Sequence, residues 1–273
     1  MKQFEGVLIC TDLDGTLLKN DKTISRENLE AIRYFKENGG RFTFVTGRMP
    51  CAVSRVADAV LPNAPFGCIN GGGLFDYEAR KYIWIEEMSR NVFDLIAAAE
   101  EKIEGLGIWV DAIDVSYFYR ENSATEHYKQ ASGTPNVTAH YRDIKTPIGK
   151  IVFAHPDGAR ISELIALLAA HPRAAEFDFI RSEELFYEIL PKGIHKGVAL
   201  SVLAKHLGID AAKTVAIGDY NNDIGMLRAA GVGVAVANAV PEVKAVADVV
   251  TVSNEEHAIA RVIADIESGR IAF

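Results

Sequence analysis

The stretch from Val7 to Leu18 constrains this chain most. Val7-Leu8-Ile9-Cys10 is a short apolar run, and Asp12-Leu13-Asp14-Gly15-Thr16-Leu17-Leu18 follows it. Such a run, with no polar alternation, reads as a strand buried on both faces, as in a parallel sheet. Two carboxylates two residues apart at its end point to the same side if the extended geometry continues. Gly15 then lets the backbone turn sharply. Open α/β sheets bind their ligands beyond the carboxyl ends of their strands, which is where these acids fall. Two readings are open at this point. One acid serves as nucleophile and the other as general acid/base, with Mg²⁺ balancing their charge, or the segment is simply a polar exit from a strand into a turn.

The next segments repeat the pattern. Ser25 is a good N-cap for a helix over Arg26–Phe35, which Asn38-Gly39-Gly40 stops. Arg41–Val45 is a second strand ending at Thr46-Gly47-Arg48, and Ala52–Ala59 a second helix. Pro65–Ile69 is a third strand with Asn70-Gly71-Gly72-Gly73 as its exit loop. Strands that alternate with helices and end in polar or glycine-rich loops indicate a doubly wound parallel sheet.

The texture changes near Tyr82. A helix is expected over Val92–Lys102, and strands over Gly107–Val110, Ser116–Tyr119, Ile148–Ala154, Glu176–Ile180 and Leu185–Leu190. Glu121–Tyr141 is polar and weakly periodic, and Ile161–Ala170 reads as an amphipathic helix. This mixture suggests an inserted α+β module. The first pattern resumes with a helix at Lys196–His206 and a strand over Thr214–Ile217 that ends in Gly218-Asp219-Tyr220-Asn221-Asn222-Asp223. A short helix (Met226–Ala230), a strand (Gly233–Val236), a helix starting at Pro241, a strand at Val249–Thr251 and a helix over His257–Ile266 follow. The fold class expected is therefore α/β, a Rossmann-like core with an inserted α+β domain: core over 1–82, insert over 83–189, core over 190–273.

Length and composition agree. At 273 residues the chain is near the size where one core gives way to two. A formal charge of −8 speaks against nucleic acid as a partner, yet a local Lys, a metal and a few amides can still hold a small phosphate. No apolar run reaches the roughly 18 residues of a membrane helix. The N-terminus leads straight into the first strand, so no signal peptide is expected, and the protein is read as cytoplasmic. Cys10, Cys51 and Cys68 have no metal-ligand spacing and are read as reduced core thiols.

Four loops now carry Asp12 and Asp14; Thr46; Lys196; and Asp219, Asn222 and Asp223. The acids make a hard oxygen site suited to Mg²⁺. A hydroxyl and loop amides can hold phosphoryl oxygens, and a Lys can neutralise both nucleophile and transferring group. Asp219 and Asp223 would share a face if a helix begins there, one for metal and one to orient Lys196.

These residues resemble the motifs of the haloacid dehalogenase superfamily, and more narrowly its Cof-type branch, whose cap lies between the second and third motifs. Asp12-Leu13-Asp14-Gly15-Thr16-Leu17 matches the first motif and Val45-Thr46-Gly47-Arg48 the second. Pro191-Lys192-Gly193-Ile194-His195-Lys196-Gly197 matches the third, and Gly218-Asp219-Tyr220-Asn221-Asn222-Asp223 the fourth. The resemblance implies that Asp12 forms an aspartyl-phosphate while Asp14 works as acid and then base. It implies that Thr46, Gly47, Arg48, Lys196 and Asn222 bind the substrate. Mg²⁺ would be held by Asp12, Asp219 and the backbone carbonyl of Asp14, with Asp223 steadying Lys196. Thr16 is read as functional rather than only a turn hydroxyl, Asn70 is open between a turn and a functional role, Asn221 is read as a turn residue and His195 as incidental. Tyr117, Tyr119, His127 and Arg181 are read as surface or packing residues of the insert.

The expected function is a Mg²⁺-dependent phosphatase of small phosphorylated metabolites such as sugar phosphates. Monomer or homodimer, no nucleic acid and no membrane are expected. The rivals are a mutase-type phosphotransferase and a non-catalytic phosphate or nucleotide sensor. A dinucleotide enzyme is disfavoured because G-x-G-x-x-G is missing after the first strand.

Overall fold

The computed structural model describes residues 2–113, 115–132 and 137–273, with the backbone alone at 127 and 130–132. In chain order come β1 (Leu8–Thr11), α1 (Arg26–Glu37), β2 (Arg41–Phe44), α2 (Ser54–Val60), β3 (Phe66–Cys68), β4 (Gly73–Asp76) and β5 (Lys81–Ile85). Next are α3 (Val92–Lys102), β6 (Gly107–Ala112), β7 (Ser116–Arg120), α4 (Ser123–Ser132), β8 (Val137–Thr138), β9 (Ile148–Ala154), α5 (Gly158–Ala169), β10 (Phe177–Glu183) and β11 (Phe186–Pro191). The chain closes with α6 (Lys196–Leu207), β12 (Thr214–Gly218), α7 (Ile224–Ala229), β13 (Val232–Ala235), α8 (Pro241–Lys244), β14 (Val249–Val250) and α9 (Ala258–Glu267). Two compact units result: Met1–Gly47 with Ser54–Trp84 and His195–Phe273, and Arg48–Val53 with Ile85–Ile194.

In the first unit, β14-β13-β12-β1-β2 form a parallel sheet. All four residues of β1 are buried, as a strand covered on both faces requires. From β1 the chain steps to β2 on one side, and from β12 to β13 on the other. Right-handed crossovers running in opposite directions put their helices on opposite faces. Accordingly α1 packs with α9, and α6 with α7. The strand order reverses between β1 and β12, so the crevice of the sheet opens at their carboxyl ends.

Local chemistry sets the element ends. The Ser25 hydroxyl accepts from Asn28 N at the start of α1. Gly208 takes the left-handed conformation that ends α6. The third strand differs from its expectation. Among the described residues it pairs with the β2 side through an isolated parallel bridge, Val45 to Gly67. Its glycine run is the turn of an antiparallel hairpin into β4 rather than an exit loop. Ile69, Asn70 and Gly71 all have positive φ there.

The second unit is built on the mixed sheet β10-β11-β9-β6-β7-β8. Ile108, Val110, Ile151 and Ile189 share one core with Val92, Leu95, Ile161 and Leu164 of α3 and α5. Trp109, Val152 and Phe186, alternating with them along the strands, form a second cluster with Phe118 and Ala124. The sequence boundaries of 82/83 and 189/190 differ from the contact boundaries. Leu190 and Pro191 still pair with Asp178 and Phe177, which keeps the second unit together past residue 189. Arg48–Val53 also joins it, from inside the stretch assigned to the core.

The polar stretch 121–141 contains α4, which the sequence did not suggest. Its start is fixed by Asn122, whose Oδ1 accepts from Ala124 N and Thr125 N. Residues 133–136 lie outside the described residues. Tyr117 and Tyr119 pack against the first of these two clusters. Arg181 is exposed and donates to Glu184 O. The side chain of His127 lies outside the described residues. Cys10 and Cys68 are buried thiols, but Cys51 is exposed, because its short 3₁₀ turn presents it outward. No helix among the described residues is long and apolar enough to cross a membrane.

Candidate active site

The site grows from the end of β1. Asp12 N donates to Ile217 O at 2.8 Å, so the ladder with β12 runs on through the acid. The chain then coils tightly: Leu17 N donates to Asp12 O and Leu18 N to Leu13 O. Gly15 at φ 75° is the pivot, and a Cβ there would lie 2.4 Å from Asp219 Oδ2. Asn238 Nδ2 donates to Gly15 O, and Asn254 Nδ2 to Leu18 O, which pins the loop from the far end of the chain.

β12 ends at Gly218 and delivers Asp219. Thr16 Oγ1 donates to Asp219 Oδ1 at 3.0 Å, tying the first loop to the last. Asp223 sits at the end of a 3₁₀ turn rather than on the same helical face as Asp219. Its Oδ2 accepts from the backbone N–H of Asp219 and Tyr220. This local cap turns its other oxygen toward Lys196, so the expected division between the two acids arises from a turn instead of a helix.

Lys196 is the first residue of α6 and is 1% exposed. Its ammonium donates to Asp12 Oδ1 at 2.7 Å and Asp223 Oδ1 at 2.6 Å. His195 is not incidental. It is the N-cap, with Nδ1 accepting from Gly197 N, and a Cβ on Gly225 would meet that nitrogen at 2.4 Å. A Cβ on Gly71 would lie 2.2 Å from His195 O. The hairpin turn and α6 therefore need glycines to approach one another.

Thr46 is buried, and its N–H donates to Gly67 O while its carbonyl accepts from Asn70 N. Asn70 is buried at φ 52°, and its Oδ1 accepts from Asn222 Nδ2 at 3.3 Å. A Cβ on Gly47 would stand 2.8 Å from that Oδ1. Asn70 thus ties together the loops that carry Thr46, Gly47 and Asn222. The Asp14 carboxylate is partly exposed and pairs with Lys22 Nζ at 2.8 Å. Arg48 belongs to the second unit.

Oxygens of Asp12, Asp219 and Asp223 all lie within 4.8 Å of one another. Three carboxylates face one ammonium. Burial, and then the charge of Asp223, pushes Asp12 up to about 8 against the pull of Lys196. Burial and Asp223 push Asp219 up to about 6. Burial opposes the charge on Lys196, but Asp12 and Asp223 outweigh it and hold the ammonium above its ordinary range. Such a surplus of buried negative charge suits a divalent cation. The donor set fits one. Both Asp223 oxygens are engaged, while Asp12 and Asp219 each keep an oxygen with no hydrogen bond among the described residues.

The family model for haloacid dehalogenase-like hydrolases matches residues 9–263. The chain belongs to this family. Among its relatives in the haloacid dehalogenase superfamily is the 5-amino-6-(5-phospho-D-ribitylamino)uracil phosphatase YitU of Bacillus subtilis (strain 168). It is 30% identical over 93% of this chain and 95% of the relative. The pyridoxal phosphate phosphatase YbhA of Escherichia coli (strain K12) is 30% identical over 94% of this chain and 97% of its own. A solved haloacid dehalogenase-like hydrolase from Bacteroides thetaiotaomicron superposes with a TM-score of 0.85 at 26% identity, covering 95% and 99% of the two chains. The α/β fold class and the Cof-type resemblance are borne out, and the protein is an enzyme, a phosphatase of this superfamily.

Of the residues that matter, the sequence reading undervalued His195, left Asn70 open between turn and function, and passed over Asn238. His195 lies inside the quoted third motif, so that signal was present. Asn238 carried none, because its partner Gly15 is 223 positions away.

Proposed function

We propose that this phosphatase hydrolyses small phosphomonoesters with Mg²⁺ through an aspartyl-phosphate on Asp12. The observation that carries the reading is the Asp12 carboxylate, buried, bound by Lys196 and set beside Asp219 at the crevice of the sheet. In this scheme Asp12 attacks phosphorus and the ester oxygen leaves. Asp14 protonates that oxygen, then takes a proton from the water that attacks the phosphoryl group and frees Asp12. Its partial exposure next to Lys22 leaves it room to exchange protons. Lys196, the Thr46 hydroxyl and the amides around Gly47 hold the phosphoryl oxygens, with Asn222 at the edge. Asp223 orients Lys196. Mg²⁺ bound by Asp12, Asp219 and the Asp14 carbonyl supplies positive charge that offsets repulsion between carboxylate and phosphoryl group.

The second unit serves as the cap that excludes water and reads the leaving group, with Arg48 contributing to substrate binding. YitU and YbhA are named for different small phosphorylated compounds. Their likeness supports a small metabolite as substrate here, sugar phosphates among them.

The test is turnover of p-nitrophenyl phosphate with and without Mg²⁺. Asp12→Asn abolishes it, and Asp14→Asn keeps binding but slows turnover by about 10²–10⁴-fold. Activity retained in purified Asp12→Asn protein would refute the nucleophile.

A further inference from the structure

The loop that follows Asp14 carries a cation to which the scheme above gives no task. An isolated bridge between Asp14 and Leu18 begins it. Asn254 Nδ2 fixes its base through Leu18 O, and Asn20 N donates to Glu255 Oε1 at 2.7 Å. Its tip is a tight turn, closed by Lys19 N to Thr23 O and by Lys22 N to Lys19 O, both at 2.9 Å. Asp21 Oδ1 accepts from the N–H and the hydroxyl of Thr23. All of these residues belong to the first unit.

Lys22 stands at φ 64° in this turn. That left-handed conformation suits glycine and is costly for a residue with a Cβ. Backbone strain of this kind persists only where the surroundings impose it, and it gathers at functional positions. The side chain carried there reaches Asp14, with Nζ 2.8 Å from Oδ1. Stability does not account for the pair. Its two side chains are 62% and 38% exposed, and ion pairs that open to water contribute little. What the lysine does to the carboxyl group accounts for it better. An ammonium has three donors and no acceptor. The oxygen it binds therefore stays an acceptor whether or not the carboxyl group is protonated, and a proton on that group goes to Oδ2.

We infer, resting on the phosphatase reading above in which Asp14 is the acid, that Lys22 is a positioning residue for proton delivery. By occupying Oδ1 it orients the carboxyl group so that Oδ2 presents the proton to the ester oxygen. As the bond from Asp12 to phosphorus forms and the ester P–O bond breaks, the electron pair of the broken bond goes to the ester oxygen. The Oδ2 proton follows it, and the group leaves as an alcohol. A displacement of about 1 Å in such an arrangement costs up to about 10²-fold in rate, so a weak ion pair is enough to matter.

The experiment uses the full chain with Mg²⁺ and two esters. Glycerol 2-phosphate has an alkoxide that leaves poorly without a proton, whereas p-nitrophenyl phosphate has a phenolate that leaves without one. The measure is kcat/KM, which covers transfer to Asp12 but not the later attack by water. Lys22→Met loses about tenfold more on glycerol 2-phosphate than on p-nitrophenyl phosphate. Lys22→Gly shows the same difference although it relieves the backbone. Lys22→Arg, still a cation with donors only, stays within about threefold of the wild type on both esters. In the Asp14→Asn background, Lys22→Met costs no more than about twofold, since the group it positions is gone. Equal losses on the two esters, or a full further loss in the Asp14→Asn background, overturn the assignment and leave Asp14 as the acid. An Asp14→Asn protein that itself fails to distinguish the esters removes the acid, and the assignment to Lys22 with it.

Discussion

Replacing Lys196 by Met removes the ammonium and keeps most of the apolar stem. The group lost is 1% exposed and makes hydrogen bonds of 2.7 Å to Asp12 and 2.6 Å to Asp223. Breaking a buried ion pair by deleting one partner costs about 3–5 kcal/mol, because the remaining charge is stranded. The stranded charge here is chiefly Asp223, which keeps two backbone donors but loses its counter-ion. At about 2–4 °C per kcal/mol for a chain of this size, the melting temperature falls by about 6–20 °C. The assay is thermal and urea unfolding in EDTA, so that no cation substitutes for the lysine. Burial and Asp223 already raise the folded pKa values of Asp12 and Asp219 above their unfolded ones, and losing the ammonium removes a pull that lowers both. Their stability contribution is therefore present at acidic pH and lost as pH rises, so the deficit is smaller near pH 5 than near pH 7.5. The double variant with Asp223→Asn recovers part of the loss, since the stranded charge is gone. A cost below about 1 kcal/mol at neutral pH, or an equal cost at both pH values, would show that the pairing does not hold the loops together.

The remaining expectations concern the same cluster. Thr16→Val removes the hydrogen bond to Asp219 Oδ1 and weakens divalent-cation binding by about 10–100-fold, read by calorimetry; unchanged affinity would count against the link. Gly15→Ala forces a non-glycine residue to φ 75° with its Cβ 2.4 Å from Asp219 Oδ2. Stability then drops by about 1–2 kcal/mol, and turnover at saturating substrate by about 10²-fold as Asp219 is displaced. Without metal, Asp12 near 8 and Asp219 near 6 hold protons that the unfolded chain releases near 3.8. Stability from these two groups is complete below about pH 4 and is lost as pH climbs to about 8. Mg²⁺ therefore raises the melting temperature more at pH 8 than at pH 5, and an equal gain at both would contradict the charge accounting.

Much of this was legible residue by residue because it depends on local patterns. The run Val7–Cys10 reads as a buried strand, since every residue of it is apolar. Ser25 and Gly208 mark helix ends because their side-chain chemistry and backbone freedom act within one turn. The helix α4 was not legible. Its apolar contacts, Ala124 and Tyr128 against Trp109, are too sparse to set a period and are supplied by the sheet beneath. The hairpin at Asn70 was missed for a related reason: the close approach that demands a glycine at 71 is made by the backbone of His195, far along the chain.

The sequence alone therefore determined the alternation of strands and helices, the four loops that bear the reactive groups, and their chemical types. These follow from periodicity, capping and the placement of polar residues after apolar runs, all of which act over a few neighbours. Only the tertiary structure decided which oxygen of each carboxylate is occupied, and that Thr16 and Asn70 bind loops together. Those are properties of atoms brought within hydrogen-bond range by strand order, and strand order is set by packing of the whole chain.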